Sequence, residues 1–507
     1  MTTNLPGEPD PIFSRLVDTV SQIAGQGTVY LVGGAVRDLL MRRPCHDLDF
    51  SLDGNVKSLA RKSADALRGD FFMLDEERST ARVIYYNPIA GRIFLDFALL
   101  RGATIEDDLR ARDFTVNALA LDLKNLQAVI DPLGGVHDLA AKRLRPASPD
   151  AFKNDPVRVL RGVRQSLALA FLLEPPTLQA MQAAAPLLRT VSTERQRDEL
   201  FNMLKGSQVD AAVRMLDQIG ALGLILPELE QMKGVAQSAP HIYDVWEHTL
   251  VLLAQLAALL DALATPAPSI GEANPLLETA MEKLGRFRHY LADHLNDALN
   301  PNRSLRGLLF LAALYHDIAK PQTRQDAEGG RTHFIGHETA GARIAARRAQ
   351  QLALSQAEVQ RLEAIVAGHM RIHLLAQSGL APSRRAIYRF FRRTGAAGVD
   401  ICLLSLADTL ATYGPSLPPE NWVSELEICR SLLEAWWEHP AETVSPPRLV
   451  TGDDLLAAFN LPPGPKIGEL LAAIQEAQAC GEVTDHQQAL EFAVKYLKGW
   501  RNDSLTG

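Results

Sequence analysis

Four cysteines in 507 residues, Cys45, Cys402, Cys429 and Cys480, are too few and too scattered for a disulfide framework or a thiolate metal site. A reducing compartment suits such a chain. No run of about eighteen uninterrupted apolar residues occurs, and the start MTTNLPGEPDPIF lacks a basic-then-apolar targeting segment, so no membrane partner and a cytoplasmic location are expected. Internal repeats and long low-complexity tracts are missing too. So is an excess of positive charge. A net charge of -8 excludes a general electrostatic grip on nucleic acid, because phosphate contacts dominate that affinity. Local distribution points the other way. Arg101, Arg110, Arg112, Lys142, Arg143, Arg145, Lys153, Arg158, Arg161 and Arg164 crowd one region, and Arg384, Arg385, Arg389, Arg392 and Arg393 form a second cluster. The second is interleaved with Ile387, Tyr388, Phe390 and Phe391, as on an amphipathic helix with either an RNA-binding or a merely solvated cationic face.

What is present is an ordinary globular composition, 47% hydrophobic and 22% charged, on a chain too long for one core. Residues 28 to 135 alternate short apolar strands (TVYLVGG, DLDFSL, RVIYYN, RIFLDFALL, LDLKNLQAVIDP) with helical stretches, which predicts a mixed α/β domain. After Asp155 the strand signal nearly vanishes and helical periodicity takes over. Ala264 to Pro275 reads as a loop inside a helical domain, and GPSLPPENW and HPAETVSPPRLV read as boundaries.

The most informative stretch is LVGGAVRDLLMRRPCHDLDF. In a strand, Asp47 and Asp49 project to one face while Leu48 and Phe50 point into the core. Two converging carboxylates suit Mg²⁺, which prefers carboxylate and phosphate oxygens, and a two-metal site can clamp both oxygens of a phosphoryl transfer. Gly33 and Gly34 let the backbone approach an anion, and the helix they open carries Arg37 as a cationic fork for phosphate. A lone D-x-D is more often a solvated strand end; the double glycine and helix start within twenty residues favour the site.

Val32 to Phe50 resembles the first motif of the class II tRNA nucleotidyltransferase and bacterial poly(A) polymerase family, which extends RNA 3′ ends without a template. The resemblance implies an α+β fold, with a polymerase-β-like nucleotidyltransferase head followed by a predominantly α-helical body. ARDFTVNALALD, residues 111–122, is similar to the family's R-R-D-F-T-x-N-A signature, with Ala111 in place of the first arginine, and implies nucleotide contact by Arg112; the plainer alternative is a structural salt bridge of Arg112 and Asp113. NDPVRVLRGVR, residues 154–164, predicts a helix with Asp155 as N-cap and Pro156 at its first position. Arg158, Arg161 and Arg164 then lie on one row, needing an anion nearby, with Val157, Leu160 and Val163 on the buried side. The family counterpart, E-D-x-x-R, implies that Asp155 and Arg158 hydrogen-bond the edge of cytosine or adenine, although Asn154 stands where glutamate is usual. STERQRDELFNML resembles the motif E-R-x-x-x-E, with Thr193 and Gln196 as a capping box and a supporting role for Glu194 and Arg195. Asp96 is placed like the superfamily's third acidic group, with either a catalytic role or a structural one at a strand end.

Nine of the thirteen histidines fall between His241 and His373. His248, His316 with Asp317, His337, His369 and Asp408 follow the order H…HD…H…H…D, which looks like the HD phosphohydrolase domain. Imidazoles with carboxylates suit a transition metal such as Mn, Ni or Fe, with Lys320 and Arg324 as phosphate-binding cations. His373, four residues beyond His369 on the same helix face, is expected to support the ligands or touch substrate. The stretch Leu449 to Leu497, with Pro463, Gly464, Pro465 and Gly468 as turn residues, resembles the tail of several tRNA nucleotidyltransferases.

The expected organisation is a head over 1–145, a base-reading and RNA-binding neck over 146–235, an HD-type metal domain over 236–415, and a helical tail over 416–507 that contacts tRNA. The resemblance implies addition of C and/or A to the tRNA 3′ end from CTP and ATP, with Asp47, Asp49 and Asp96 catalytic, Mg²⁺ on Asp47 and Asp49, and no protein partner. A poly(A) polymerase of the same fold is the near alternative, disfavoured because GDFFMLDEERSTARV replaces that branch's basic run. Between Arg101 and a helix start at Asp108, only GATIED, Gly102 to Asp107, stands where complete CCA-adding members carry a longer flexible loop; this shortening marks CC-adding members. A different-class alternative is an HD phosphohydrolase whose head only binds nucleotide or RNA.

Overall fold

The computed structural model describes residues 10–88, 91–265, 274–301, 303–326, 331–377 and 381–503. The chain divides into two compact units, Met1–Glu199 with Met215–Leu224, and Leu200–Arg214 with Ile225–Gly507. The centre of the expected loop Ala264 to Pro275 lies outside the described residues.

The first unit is built on a seven-stranded sheet of β1 (Val29–Val32), β2 (Asp47–Leu52), β3 (Asp70–Asp75), β4 (Thr80–Asn87), β5 (Gly91–Leu99), β6 (Ala120–Asp122) and β7 (Asn125–Ile130), in the order β3-β4-β5-β2-β1-β6-β7. Only β2 and β5 run parallel; the other neighbours are antiparallel. The stretch LDLKNLQAVIDP is a hairpin of two strands, not one, because the Asp122 carboxylate accepts from the Lys124 N–H at 2.9 Å and turns the chain. β3 is a strand the alternation did not reveal, since acidic residues bound it and it lies at the sheet edge.

One face of the sheet is dry. Leu48, Phe50, Val83, Leu95 and Phe97 are essentially inaccessible and pack with α1 (Pro11–Ala24) and α3 (Val56–Leu67). Asp10 caps α1 through the Ile12 N–H, Pro11 fits its first turn, and Phe13, Leu16, Val17 and Val20 form its buried stripe. Leu59, Ala60 and Ala64 do the same for α3. The opposite face carries the polar partners of those same strands. α2 (Gly34–Leu40) follows β1 directly, and α4 (Ile105–Arg110), α5 (Gly135–Ala140), α6 (Ala151–Asn154) and α7 (Arg158–Leu169) complete the elements that surround the site.

In the second unit, helix Val245–Ala264 is long and apolar enough to cross a membrane by length and composition, and its leucines are buried within the helical body. With β8 (Gln325–Asp326) and β9 (Thr332–His333) it also contains a small ribbon that helical periodicity could not predict. Arg384–Thr394 forms the expected amphipathic helix, with Ile387, Tyr388, Phe390 and Phe391 buried. Three of its arginines are tied to acids: Arg385 and Arg389 share Glu476 at 3.1 and 2.6 Å, and Arg384 reaches Glu442 at 3.1 Å, while Arg392 donates to the Tyr388 hydroxyl at 3.0 Å. Gly468 is helical, because Pro465 starts helix Pro465–Ala479 and leaves the turn to the residues before it.

Candidate functional site

The polar face of β2 and β5 opens on a cavity of about 520 Å³, the size of an ordinary small-ligand site. Its lining includes Gly33, Gly34, Arg37, Asp49 and Asp96 from the sheet side and Arg161, Arg164 and Gln165 from α7. Asp49 lies opposite Asp96 in the parallel register, and Asp47, exposed at the strand entrance, shares their face. Burial, offset by Arg112 and reinforced by the carboxylates of Asp96 and Asp47, lifts the Asp49 carboxyl to about 6. A half-buried carboxylate raised by desolvation and by neighbouring carboxylates is one that a cation relieves, so the donor set fits Mg²⁺.

Gly33 is required by geometry. It has φ +77°, and a Cβ there would sit 2.6 Å from Arg112 Nη1 and 3.3 Å from Asp49 Oδ2. Arg112 is fixed beside it: Nε and Nη2 donate to buried Asp108 at 3.1 and 3.0 Å, leaving Nη1 toward Gly33 and the cavity. A chain of hydrogen bonds then runs along the far wall. Arg37 donates to Asn117 Oδ1 (2.6 Å), and Asn117 Nδ2 donates to Asp113 (2.9 Å) and to Gln165 Oε1 (2.9 Å). Arg161 donates to Asp113 (3.3 Å) and Glu199 (3.0 Å), and Arg164 donates to the other Glu199 oxygen (2.8 Å). Against the penalty of burial, Arg161 and the N–H groups of Asn117 and Phe114 hold Asp113 below the usual carboxylate range. The wall is therefore preorganised, with planar donors and a carboxylate in fixed orientation.

In the second unit the histidines converge from separate helices. His248 comes from Val245–Ala264, His316 and Asp317 from the end of Leu305–Tyr315, His337 from the start of His337–Gln351, His369 from the end of Gln356–Gly368, and Asp408 from Ala397–Tyr413. All are buried. Two groups have ligand atoms within 4.8 Å of one another: His248, His316 and Asp408, and Asp317, His337 and His369. Both His248 ring nitrogens and His316 Nε2 are buried without an aligned hydrogen-bond partner, although His248 Nε2 is 3.0 Å from Asp408 and His316 Nε2 is 3.1 Å from Asp317. Close approach without hydrogen-bond alignment is how donors meet around a cation, and imidazole with carboxylate fits a transition metal. Burial and the neighbouring His316 and His337 depress His369 to about 3, leaving it neutral as a ligand must be. A cavity of about 360 Å³ adjoins the set, lined in part by His241, Lys320, His373 and Tyr413.

The sequence profile of the poly(A) polymerase head domain matches residues 29–145, that of the RNA- and SrmB-binding region of polymerase A residues 170–233, the HD domain residues 286–413, and tRNA nucleotidyltransferase domain 2 residues 444–494. The A-adding tRNA nucleotidyltransferase of Deinococcus radiodurans is 34% identical over 92% of this chain and 95% of its own length. The chain belongs to the tRNA nucleotidyltransferase family. The CC-adding tRNA nucleotidyltransferase of Thermus thermophilus is 32% identical over 94% of this chain and 95% of its own length. A CCA-adding enzyme in its apo form shares the fold, with a TM-score of 0.59 at 20% identity over 96% of this chain and 95% of that one.

Within this nucleotidyltransferase the head cavity collects most of the residues singled out by sequence: Gly33, Gly34, Arg37, Asp49, Asp96, Arg112, Arg161 and Arg164 line it, and Asp47 adjoins Asp49. Asp96 is also clamped by Arg82 through two 2.7 Å hydrogen bonds, a partner from a neighbouring strand that only the register reveals. Asp155 and Arg158 are outside the lining. Asp155 does not cap α7: it ends α6, and the helix opens through tight bonds from Arg158 and Val159 N–H to the Asp155 and Pro156 carbonyls. Its carboxylate instead accepts from Arg195 at 2.7 Å. Arg158 is buried, donating to the carbonyls of Ala111 (2.7 Å), Arg112 (3.0 Å) and Ala151 (3.2 Å), so its guanidinium is held by backbone. Gln196 is not part of a capping box either; helix Thr193–Leu204 starts at Thr193, and the Gln196 amide donates back to the Leu188 and Val191 carbonyls.

The anion that lets Arg161 and Arg164 share a ridge is Glu199, the last acid of the E-R-x-x-x-E pattern and the signal that could have found it. α4 begins at Ile105, not Asp108, because Thr104 and Asp107 form a capping box, and the connection from β5 shrinks to Leu100–Thr104. In the HD set His373 does not share a helix with His369: a turn at His369 and Met370 separates them, and His373 sits between Asp408 and Glu425, 3.0 Å from each. Those carboxylates overcome burial and raise it to about 10. Lys320 lines the second cavity and pairs with Asp317 at 2.7 Å, while Arg324 pairs with exposed Asp326 away from it.

Proposed function

We propose that this enzyme adds cytidines from CTP to the 3′ end of tRNA, building the CC of the CCA end. The observation that carries the extent of addition is the five-residue connection Leu100–Thr104. Gly102, at φ +115°, packs against Asp107, the Thr104–Asp107 box closes the turn, and buried Asp108 accepts from the Arg101 N–H at 3.1 Å. Such a segment has no slack with which to reshape the base site between cytosine and adenine.

In the reaction the primer 3′-hydroxyl attacks the α-phosphate of the nucleotide, a P–O bond forms, and pyrophosphate leaves. Asp47 and Asp49 are the residues that would hold magnesium; bound there, it supplies the positive charge that acidifies the hydroxyl and neutralises the triphosphate. Arg112, fixed by Asp108, supplies a directed cationic donor where phosphate oxygens meet the Gly33 backbone, and Arg37, paired with Asp38 through Nε and Nη2 and with Asn117 through Nη1, adds its charge to the same wall. Arg161, held by Asp113 and Glu199, presents an oriented guanidinium on the α7 side, where the base lies. The roles given by resemblance to Asp155 and Arg158 become positioning roles, since Arg158 fastens the backbone that carries Arg112.

A second activity is favoured by the unpartnered ring nitrogens of His248 and His316: a transition metal held by His248, His316, Asp317, His337, His369 and Asp408, supporting phosphohydrolase chemistry beside Lys320. The working compartment is the cytoplasm, where tRNA is matured.

Incubation with CTP, ATP and tRNA ending at the discriminator base, followed by sequencing, tests the main reading. Termini in CC support it. Complete CCA ends overturn the limit on extent, adenosine added only to tRNA already ending in CC places the enzyme with its Deinococcus radiodurans relative, and a homopolymeric A tail overturns the tRNA reading.

A further inference from the structure

The polar face of the sheet does not stop at the cavity. Across β3, β4, β5 and β2, Phe72, Arg82, Asp96 and Asp49 form one continuous cross-strand row. The next row is Asp70, Ile84, Phe94 and Asp47, and beyond it Tyr86 lies opposite Arg92. With strands about 4.8 Å apart, Phe94 is one strand from Asp47, and Phe72 is roughly 14 Å from Asp49. Phe72 is 48% exposed, Leu74 50% and Tyr86 51%. These side chains do not belong to the head core, which is already filled on the opposite face by Phe71, Met73, Val83, Tyr85, Leu95 and Phe97 under α1 and α3. Guanidinium groups are interleaved with the rings: Arg82 lies over Phe94 at 5.0 Å and Arg92 over Tyr86 at 5.8 Å.

We propose that this outer face of β3, β4 and β5 is a stacking platform for the unpaired nucleotides at the 3′ end of the RNA primer. The proposal rests on the reading of the head as an RNA-extending site. The end of the platform at Asp47 and Asp49 is where a primer hydroxyl has to arrive, so the bases behind that hydroxyl pass over Phe94 and then toward Tyr86 or Phe72. Flat aromatic faces accept any base by stacking, and Arg92 beside Tyr86 meets its phosphate by charge, Arg82 being already clamped to Asp96. A sheet of about four strands presenting aromatics in this manner accommodates about two or three bases. The neighbouring carboxylates Asp47, Asp49 and Asp96 make the same face a poor partner for an acidic protein surface.

The test uses the full-length protein and two labelled RNA hairpins with identical stems, one blunt and one carrying three unpaired 3′ nucleotides. Binding is followed by fluorescence anisotropy without CTP, in parallel with thermal melting and sedimentation. For the unchanged protein the overhang tightens binding about tenfold; Phe72→Ala with Tyr86→Ala abolishes that gain, Phe72→Trp keeps it, and the KM for CTP stays the same. Should the double variant lose its fold, Phe72→Ser and Tyr86→Ser, polar on an exposed face, repeat the comparison singly. An overhang gain that survives loss of both rings overturns the proposal, as does a dimer of the unchanged protein that the double variant dissociates without altering RNA affinity. Overhang dependence that follows the two rings in a protein adding no nucleotide to tRNA sinks the functional reading and leaves the platform standing. Nucleotide addition with ring-independent overhang binding does the reverse.

Discussion

Asp49 and Asp96 face each other across the parallel pair β2 and β5, yet only Asp96 has a bidentate arginine, Arg82, while Asp49 depends on its burial partners and on whatever cation the cavity receives. The asymmetry separates a carboxylate kept ready for a ligand from one anchored by protein.

Asp49→Asn therefore trades activity for stability. The folded carboxyl is raised to about 6, above its unfolded value near 3.9, so its contribution to stability is fully present below the unfolded value and is lost as pH rises through 6. Asparagine has no such loss. In chelator, the variant is expected to melt at a higher temperature than the parent at pH 8, by on the order of 1–2 kcal/mol of stability, with the gap closing by pH 4, while nucleotide addition falls by about a thousandfold or more. Equal melting at pH 8 would refute the account of the buried charge.

Glu199→Gln unfastens two arginines at once. Arg161 and Arg164 both donate to this buried carboxylate, and removing one partner of a buried ionic network costs roughly 3 kcal/mol. Urea melts should show that loss, and the KM for CTP should rise about tenfold, because the guanidinium of Arg161 loses its orientation. A nucleotide KM that stays put would remove Arg161 from the nucleotide wall.

Arg158→Ala distinguishes positioning from base reading. Its donors satisfy the Ala111, Arg112 and Ala151 carbonyls, so its loss should cost roughly 2 kcal/mol and lower turnover with CTP and with ATP in the same proportion. A changed C-to-A ratio at unchanged stability would restore the direct base contact implied by family resemblance.

Gly102→Ala probes the short turn. A Cβ at φ +115° would meet the Asp107 Cβ at 2.6 Å, so the variant should lose about 1–3 kcal/mol, seen as a lower melting temperature. A neutral result would mean that the turn yields, contrary to the fixed base site proposed.

His316→Ala should release the HD-site metal, read by elemental analysis of the purified protein, while CC addition stays within about twofold. Metal retained at full stoichiometry would show that the ligands lie elsewhere.

Much of the head was legible from local rules. Alternation placed Leu48 and Phe50 inside and Asp47 and Asp49 on the other face, the double glycine marked the turn before α2, and the skewed histidines marked a cluster that the helices do bring together. The errors share a cause. Asp155 has the side chain and neighbour of an N-cap, and Gln196 the spacing of a capping box, but Arg195 and the Leu188 and Val191 carbonyls, brought close by folding, compete for the same groups and win.

By itself the sequence determined which residue types face one another along each element, because periods of 2 and 3.6 are properties of the chain, and with them the acidic strand, the arginine ridge and the histidine set. Only the tertiary structure decided which charge each one meets. The Arg82–Asp96 clamp, the Glu199 anchor and the open aromatic face beside the aspartates all depend on strand register and helix packing, which bring together groups far apart in the chain, such as Arg37 and Asn117, whose pairing no local rule encodes.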